Sequence, residues 1–547
     1  MSSCTDAPKK TLSAFPEKTG NAYIIPSDFP DPDVIRVDDT YYLISTTMHM
    51  TPGAVILRSH NLLDWEFCSY VFDELDGTDG QKLTDNKGIY GRGMWAACIR
   101  HHEDKFWVSF VANDTHKSYL YTADEITGPW KRQPIEGFYH DMSVLFDDDG
   151  RSWIVSGNRE IYLTEMQADL SAPVPGGFND VIVREPEGHE GLGHEGSHIY
   201  KIDGKYYLFT IDWPRGKPRT ENCFVADCIT GPWKGGPVLS SEFGGWHSGV
   251  AQGGIVSTPD GRWYAIVFQD HGALGRTPVL VSVRFEDGWP VFGEPSPAAQ
   301  AWEPGRRPTP LVTVPDLRPG YRYAPLYGNA FTLSDGLPAP YWQWNHIHDA
   351  RLVSLTESTF SVTTDKLVNN PVQAANTLTQ RTWGLDCAAS VTLSATGLND
   401  GDVAGLMALE GEYAFIGIMK QYGKYKLVTA RHQIPYESWA MGVHDDELPT
   451  FITQKPLSGP TADLRLEFNL HEGEEHVTML FREPDADADG SPTTDRVAWR
   501  QLGKPAPLRF TLDQFVGVRA ALFCYSTEKN GGKARFADFF MEISTFL

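Results

Sequence analysis

Three carboxylic acids in the first half of the chain, Asp31, Asp141 and Glu195, are of the residue type needed for acid–base hydrolysis. Two facing carboxyl groups can cleave a glycosidic bond, because a protonated one donates to the leaving oxygen while an ionised one acts at the anomeric carbon. At a separation of roughly 6.5–9.5 Å the ionised group activates water and inverts the centre, whereas at roughly 5–5.5 Å it attacks directly and retains it. A third carboxylate nearby would keep the acid protonated. The sequence predicts such a site if the fold brings the three acids together.

Each acid also has a structural interpretation. Asp31 lies in Pro30-Asp31-Pro32-Asp33, and aspartate beside proline commonly forms turns. Asp141 stands directly before a strand pattern. Glu195 lies in Gly193-His194-Glu195-Gly196, where glycines allow a close approach to a ligand. Function is favoured because all three acids occupy the same position of a repeat.

The repeat is a β-hairpin pattern that occurs five times before residue 300. Each copy has an apolar run, an acidic or glycine-containing turn and an aromatic-rich departing run. The departing runs begin near residues 41, 106, 152, 206 and 263. Sheet-forming units that recur every 40–60 residues or so are typical of propeller blades. The five hairpins therefore predict five blades.

One position of this repeat carries the polar residues. Eleven residues before each departing strand, or ten in the first copy with its shorter turn, stand Asp31, Trp95, Asp141, Glu195 and Gln252. Equivalent positions of blades are related by rotation about the central channel, so we expect these five side chains at one mouth. Trp95 would offer a flat face to a sugar ring, and Arg276 would donate paired hydrogen bonds to hydroxyls.

The length of 547 residues is too great for one core and predicts two domains. We expect an all-β chain with an N-terminal tail (1–20), a five-bladed β-propeller (21–310) and a Pro-, Gly- and Arg-rich linker (311–325). Short alternating runs in residues 326–547 predict a β-sandwich.

Composition excludes several partner classes. A net charge of −24 argues against nucleic acids and anionic membranes, which both require a basic surface. The N-terminal residues have no apolar signal-peptide core, and no run is long enough to span a membrane. The seven cysteines are scattered without metal-ligand spacing, so reduced thiols in a cytoplasmic protein are the simplest interpretation.

Two metal hypotheses are weak at the sequence level. Residues 485–490 resemble the start of a calcium loop, but the twelfth position is Arg496 instead of glutamate. Five histidines, at positions 189, 194, 198, 247 and 271, are scattered along the propeller. His271 could reach an ion in the channel, but a hydrogen-bonded core position is favoured. The residues alone assign no metal ligands.

Several motifs together resemble glycoside hydrolase family 43, and in particular its β-xylosidase and α-L-arabinofuranosidase members. They are residues 29–33, 45–53, 139–141, 194–196 and 275–276. Residues 342–346, 376–381 and 404–406 are similar to the concanavalin A-like sandwich attached to such xylosidases. Ser197 and Met142 depart from the family pattern, because proline is usual at both positions. The resemblance implies a five-bladed propeller that hydrolyses with inversion, followed by a jelly-roll domain.

The resemblance also implies residue roles. Asp31 would be the general base, Glu195 the general acid and Asp141 the group that tunes and orients the acid; Arg276 would bind substrate hydroxyls, and Trp95 would form a wall of the −1 pocket. We also expect substrate contacts from His49, which lies where many xylosidases have bulky aromatics, and from Gln252, which lies where several members have a channel histidine. No cofactor is required, and a structural calcium ion in the propeller channel is left open.

We therefore expect an exo-acting, inverting hydrolase that releases xylose or arabinose from xylan- or arabinoxylan-derived oligosaccharides, with β-xylosidase favoured. The alternatives are an α-L-arabinofuranosidase, a retaining fructan enzyme on the same propeller, and a carbohydrate-binding propeller without catalysis. The expected partner is a small oligosaccharide or glycoside, and a homo-oligomer is left open.

Overall fold

The computed structural model describes residues 15–246, 248–296, 304–410, 412–432, 448–483, 498–509 and 515–545. Within them, the first part of the chain forms five antiparallel sheets of four consecutive strands each, which are the five blades that the repeat predicts. A short strand, β1 (Glu17–Asn21), precedes them.

The blade strands are as follows. Blade 1 contains β2 (Asp33–Val37), β3 (Thr40–Ser45), β4 (Gly53–Ser59) and β5 (Glu66–Phe72). Blade 2 contains β6 (Met94–His102), β7 (Lys105–Ala112), β8 (Lys117–Ala123) and β9 (Lys131–Gln133). Blade 3 contains β10 (Ser143–Phe146), β11 (Ser152–Asn158), β12 (Glu160–Met166) and β13 (Asn179–Arg184). Blade 4 contains β14 (Gly191–Ile202), β15 (Lys205–Pro214), β16 (Thr220–Ala226) and β17 (Lys234–Ser240). Blade 5 contains β18 (Val250–Ser257), β19 (Trp263–Asp270), β20 (Arg276–Glu286) and β21 (Trp289–Phe292).

The hairpin turns explain why these runs pair. In blade 2 the turn residues Glu103 and Asp104 both have positive φ, 50° and 57°. In blade 4 Asp203 and Gly204 do the same, with φ of 49° and 79°. Two left-handed residues form the type I′ turn, whose twist matches that of the flanking strands. The first two strands of blades 2 and 4 therefore close tightly, and the start of one strand lies beside the end of the next.

The propeller is tied together by its ends, which corrects two predicted boundaries. Strand β1 pairs with a later strand, Leu311–Pro315, in the register Glu17 to Pro315. Val312 and Val314 are buried in the same core as residues of blade 5. The end of the segment predicted as a tail and the start of the predicted linker are thus part of the propeller. The alternation of apolar and polar residues in these two segments is short and flanked by proline, so the sequence did not reveal the strands.

The strands after blade 5 are β22 (Glu294–Pro295), β23 (Arg306–Arg307) and β24 (Leu311–Pro315). The C-terminal domain has two facing antiparallel sheets, as the sandwich prediction requires. Its strands are β25 (Gln343–Trp344), β26 (Val353–Leu355), β27 (Thr359–Thr363), β28 (Leu378–Arg381), β29 (Asp386–Gly397), β30 (Asp402–Leu409), β31 (Tyr413–Gln421), β32 (Lys424–His432), β33 (Thr450–Pro456), β34 (Thr461–Asn469), β35 (His476–Arg482), β36 (Arg500–Gln501), β37 (Ala506–Pro507), β38 (Arg519–Ser526) and β39 (Lys533–Thr545).

The two sheets of the sandwich enclose one apolar core. One sheet has the order β25-β28-β38-β30-β31-β32-β33. The other has the order β26-β27-β39-β29-β34-β35-β36, and β37 also pairs with β35. Leu406, Leu464 and Phe536 are fully buried between them. Alternate residues of half-buried strands face the core, which is the pattern that the sequence showed.

Helical structure is confined to short 3₁₀ turns in the described ranges: Phe243–Gly245, Gly272–Leu274, Ala350–Leu352 and Pro371–Gln373. Among these residues there is no helix with the length and apolar character needed to cross a bilayer.

The two domains are joined by backbone and side-chain contacts. The amides of Thr51 and Trp344 each donate to the other residue's carbonyl, at 3.0 and 2.6 Å. Arg381 donates from Nε to the Asp28 carbonyl at 2.8 Å, and its guanidinium lies 4.2 Å from the centre of the Phe29 ring. The sandwich therefore packs beside the segment that leads to Asp31.

Candidate active site

All five residues of the repeat position line one cavity of about 500 Å³. They are Asp31, Trp95, Asp141, Glu195 and Gln252. The volume lies within the roughly 300–1,000 Å³ typical of small-molecule sites. Arg276, the sixth predicted site residue found here, lines the same cavity. The rotation of the blades thus brings together side chains that are far apart in sequence.

The backbone at these positions departs from regular strand geometry. Asp31, Asp141 and Gln252 have φ of 50°, 48° and 66°, in the left-handed region that costs free energy for residues other than glycine. The ladders shift register at three of the inner strands, next to Trp95, Glu195 and Gln252. Bulges of this kind redirect side chains and are frequent beside active sites. The departures place the five side chains at the cavity.

Asp31 is held by an arginine and is almost completely buried. Arg276 donates from Nη1 to Asp31 Oδ1 at 2.7 Å, and its Nε lies 3.3 Å from Asp270 Oδ1. Arg219 contacts the other oxygen of Asp270 at 2.9 Å. Burial raises the pKa of Asp31, and the Arg276 charge opposes this rise. The contact fixes the direction of the Asp31 carboxylate.

Asp141 and Glu195 form a second cluster with His140. The His140 Nε2 atom lies 3.4 Å from Glu195 Oε2 and 3.7 Å from Asp141 Oδ2. Asn158 donates from Nδ2 to Glu195 Oε2 at 2.5 Å, and the amide of Gly196 donates to Asp141 Oδ2 at 3.1 Å. The two carboxyl groups are therefore neighbours with different hydrogen-bond partners.

The charges in this cluster affect one another. Burial raises the pKa of Asp141, the His140 imidazole opposes this rise, and the Glu195 carboxyl adds to it. Burial lowers the pKa of His140, but Asp141 and Glu195 together outweigh burial and raise it to about 9. At neutral pH His140 is therefore protonated beside two acids. Perturbed titrations of this kind concentrate at functional sites.

Gln252 has a neighbour that explains an adjacent glycine. A Cβ atom at Gly196, whose φ is 63°, would lie 2.9 Å from the Gln252 side chain. The backbone amide of Gln252 donates to Glu221 Oε2 at 2.6 Å. Gly196, the residue after Glu195, therefore passes close to blade 5 because it has no side chain.

Aromatic rings from both domains bound the cavity. The rings of Trp95 and Phe515 have centres 5.4 Å apart, and the Arg276 guanidinium lies 5.2 Å from the centre of the Phe515 ring. Trp213 also lines the cavity, with Arg219 4.5 Å above its ring. Phe515 belongs to the sandwich domain, so the cavity includes a side chain from outside the propeller.

His49, a predicted substrate contact, does not line this cavity. His49 is buried between the domains, where Nε2 lies 3.1 Å from Asn345 Oδ1 and the ring lies 4.6 Å from the centre of the Tyr90 ring. Burial lowers its pKa to about 3, so the ring is neutral. Met48, the preceding residue, lines the cavity instead. These two neighbouring residues face different surroundings: Met48 faces the cavity, and His49 faces the interface between the domains.

Sequence reasoning did not single out several residues of the cavity. Asn158 and Trp213 lie in the last two positions of β11 and β15. Because β11 and β15 run antiparallel to the inner strands, their ends lie beside the predicted mouth, so the repeat contained a signal for both. His140 was adjacent to a predicted acid. Arg219 and Phe515 had no comparable signal, because each comes from a loop whose position depends on the tertiary fold.

The carboxylate of Asp33 is not available to a calcium ion in the channel. Asp33 is approached there from several blades, and Oδ2 accepts from the Ile99 amide at 2.9 Å and Arg100 Nη1 at 2.7 Å. Its Oδ1 accepts from the Val34 amide at 3.0 Å and lies 3.2 Å from His198 Nδ1. Calcium requires six to eight oxygen ligands, and this carboxylate is already occupied by donors.

The remaining metal hypotheses can be placed as well. His271 is fully buried, and its two ring nitrogens contact Thr277 at 2.5 Å and Gln269 at 3.2 Å, as expected of a core histidine. His247 and the calcium-loop-like segment 485–490 lie outside the described residues. No step of the reaction is assigned to a metal.

Comparison with known proteins gives the family of both domains. The glycosyl hydrolases family 43 model matches residues 22–290, and the model of the β-xylosidase C-terminal concanavalin A-like domain matches residues 334–542. The chain belongs to glycosyl hydrolase family 43. The predictions of the family, of the propeller followed by a sandwich and of a glycosidase are confirmed.

Relatives of this family 43 enzyme are similar over most of its length or over half of it. A β-xylosidase of Formosa agariphila is 25% identical over 74% of this chain and 75% of its own. A non-reducing end α-L-arabinofuranosidase of Bacteroides ovatus is 26% identical over 51% of this chain and 54% of its own. A solved structure described as a bifunctional GH43-CE protein of Bacteroides eggerthii is 36% identical with a TM-score of 0.82, covering 97% of this chain and 64% of that one.

Proposed function

We propose that this family 43 enzyme releases xylose from the non-reducing ends of short β-xylosides with inversion of the anomeric centre. The observation that carries the proposal is the convergence of Asp31, Asp141 and Glu195 in one cavity, with Asp31 held by an arginine and Glu195 placed beside Asp141. One acid is thereby separated in environment from the other two, as a division into base and acid requires.

Asp31 acts as the general base. The contact with Arg276 favours the ionised carboxylate and orients it, and burial leaves the charge poorly solvated. Such a carboxylate can accept a proton from a water molecule that attacks the anomeric carbon. The Arg276 charge remains paired with Asp270 during this step.

Glu195 acts as the general acid. It must donate a proton to the leaving oxygen, and its carboxyl group lines the cavity beside Asp141 and His140. Asn158 and His140 contact Glu195 Oε2 and fix the carboxyl group toward the cavity. Asp141 accepts from the amide of Gly196, the residue directly after Glu195, so it positions the acid.

The cavity supports an exo-acting enzyme. Trp95 and Phe515 are ring neighbours on its wall, so a sugar can stack there while the two domains limit the space beyond it. Arg219 is 2% exposed and its Nε and Nη1 atoms have no hydrogen-bond partner among the described residues, so they can donate to substrate hydroxyls. These features suit the end of a short oligosaccharide.

The choice of xylose rests on the relatives. A β-xylosidase of Formosa agariphila matches 74% of this chain, and a putative β-xylosidase of Xylanibacter ruminicola matches 71%. The α-L-arabinofuranosidase of Bacteroides ovatus favours a second candidate, release of arabinofuranose by the same three acids. Both activities use the same acid–base chemistry.

A reducing compartment is part of the proposal. Cys68, Cys98, Cys223, Cys228, Cys387 and Cys524 are free thiols in the described parts of the chain. Free thiols are typical of proteins kept in reducing cytoplasm. We therefore retain a cytoplasmic location and a short oligosaccharide substrate as predictions.

The test compares hydrolysis of 4-nitrophenyl β-D-xylopyranoside with that of 4-nitrophenyl α-L-arabinofuranoside. The proposal predicts a higher kcat/KM on the xyloside, and loss of this activity by about 10²–10⁴-fold in Asp31→Asn, the usual range for acid–base groups. Asparagine tolerates the left-handed backbone at position 31, so the variant should fold. A preference for the arabinoside would favour the second candidate, and inactivity on both would contradict the proposal.

A further inference from the structure

A second cluster of charged side chains lies behind the strand that carries Glu195. Glu185 directly follows β13, His189 lies in the next loop, and Asp212 lies on β15. The side chains of Glu185, His189 and Asp212 are 9%, 11% and 12% exposed. One atom of each, suited to bind a metal, lies within 4.8 Å of the others. None of the three lines the active-site cavity.

Each of the three groups is oriented by a contact through its other polar atom. His189 Nε2 lies 3.0 Å from the Leu192 carbonyl. The His194 amide donates to Glu185 Oε2 at 2.7 Å, and Asn222 Nδ2 donates to Asp212 Oδ1 at 2.8 Å. Outer contacts of this kind typically orient metal-binding histidines and carboxylates. They leave Glu185 Oε1, His189 Nδ1 and Asp212 Oδ2 directed at one another.

These three atoms present lone pairs to one another and could share one cation. A carbonyl only accepts hydrogen bonds, so the proton of a neutral His189 lies on Nε2 and Nδ1 presents a lone pair. Glu185 Oε1 is buried and has no hydrogen-bond donor among the described residues. The Nδ1 atom lies 3.0 Å from Glu185 Oε1 and 3.9 Å from Asp212 Oδ2. A second proton on the ring could bond the first oxygen, but 3.9 Å is too long for the other.

The two distances from His189 Nδ1 bracket the spacing expected between the ligands of one metal ion. Nitrogen and oxygen ligands lie about 2.0–2.2 Å from zinc in tetrahedral sites, which puts neighbouring ligands about 3.3–3.6 Å apart. The two observed separations lie on either side of this range. We propose that Glu185, His189 and Asp212 bind one divalent transition-metal ion of the zinc or manganese class, with water completing its coordination.

The proposed ion would hold the segment that leads to Glu195. Leu192 and His194 make two of the outer contacts, and Gly193 between them has no room for a side chain. A Cβ atom at Gly193 would lie 2.7 Å from Glu185 Oε2. Glu195 itself pairs with Ile211, the residue before Asp212. The ion would therefore stabilise the backbone on both sides of the proposed acid.

The test measures metal retention, which does not depend on glycosidase activity. The full-length protein is stripped with EDTA, dialysed, incubated with zinc or manganese chloride, desalted and analysed for bound metal. Calcium and magnesium, which prefer oxygen ligands, serve as comparison ions. We expect one equivalent of zinc or manganese in the wild-type protein, none in His189→Gln and a loss in Glu185→Gln, whose amide oxygen still accepts from His194.

Two control variants locate the ion. His471 pairs with Asp386 at 2.9 Å near the surface, where the two side chains are 41% and 37% exposed, so His471→Gln should retain the metal. Glu195→Gln should retain it as well, because an ion at the active-site acids would be lost there instead.

Thermal unfolding provides a second measurement, independent of metal analysis. A ligand that binds only the folded state raises the melting temperature, so zinc or manganese should raise it by a few degrees in the wild-type protein and not in His189→Gln. Absence of retained metal together with an unchanged melting temperature would overturn the proposal. Retention that persists in both His189→Gln and Glu185→Gln would overturn it too.

Discussion

Five side chains around the active-site cavity come from equivalent positions of the five blades, whereas Phe515 comes from the sandwich. The blade residues reach the cavity because one local pattern is repeated by rotation. Phe515 reaches it only because the second domain packs against the propeller through contacts such as Arg381 to Asp28. Chemistry in this enzyme is thus encoded by the repeat, and closure of the cavity by domain packing. Substitutions in the two regions should have different kinetic effects.

The largest effect should come from the repeat position. Glu195→Gln removes the transferable proton and keeps the size of the side chain. We expect a loss of about 10²–10⁴-fold in kcat on xylobiose, because general acids contribute that much to poor leaving groups. The loss on 4-nitrophenyl β-D-xylopyranoside should be far smaller, since its leaving group needs little protonation. Equal losses on both substrates, measured side by side, would remove Glu195 from the acid role.

Phe515→Ala tests the contribution of the sandwich. The ring packs on Trp95 and Arg276, and aromatic contacts contribute about 0.5–1.5 kcal/mol, so kcat/KM should fall by about 2- to 12-fold, chiefly through a higher KM. The matched control is Phe540→Ala, since Phe540 lies in the same domain and is 50% exposed. A Phe515 variant with wild-type kinetics would confine the site to the propeller.

His49→Ala tests the interface that the sequence assigned to substrate. Removing the ring leaves Asn345 without its contact and should lower the free energy of unfolding by about 1–3 kcal/mol. KM should stay unchanged, whereas Met48→Ala, one residue away and in the cavity, should alter it. Steady-state kinetics and urea unfolding measure the two quantities. A raised KM with unchanged stability in the His49 variant would indicate that His49 contacts the substrate.

A further prediction concerns the pH dependence of stability at His140. Its pKa is raised to about 9 in the folded enzyme, above the value of about 6.5 in an unfolded chain. The stability that protonation provides is therefore complete below pH 6.5 or so and is lost as pH rises through about 9. Melting temperatures measured across this interval should fall more in the wild-type enzyme than in His140→Gln. Parallel curves would show that the ring is not protonated beside the two acids.

The repeat made much of this molecule predictable. Hairpin turns and aromatic strands are local patterns, so the number of blades and the common position of Asp31, Asp141 and Glu195 followed from counting residues. Inspection of the last residue of each departing strand would have predicted Asn158 as a further site residue. The sandwich was recognised from alternation and family motifs, since its strands carry no repeat.

Contacts between distant segments were not predictable in this way. The position of Phe515 depends on how the two domains meet. The position of Arg219 depends on its ion pair with Asp270, a residue that also pairs with Arg276. The sequence also does not show that Met48, and not its neighbour His49, faces the cavity. The strand at residues 311–315 was hidden because its partner, Glu17–Asn21, lies at the other end of the propeller.

The stereochemistry of the first product tests the central claim most directly. Proton NMR of 4-nitrophenyl β-D-xylopyranoside hydrolysis, recorded before mutarotation, shows which anomer of xylose forms first. If Asp31 activates water while Glu195 donates the proton, α-xylose must appear first and convert to β-xylose afterwards. Initial formation of β-xylose would mean that a carboxylate attacks the sugar itself, and would contradict the assignment of Asp31 as a general base.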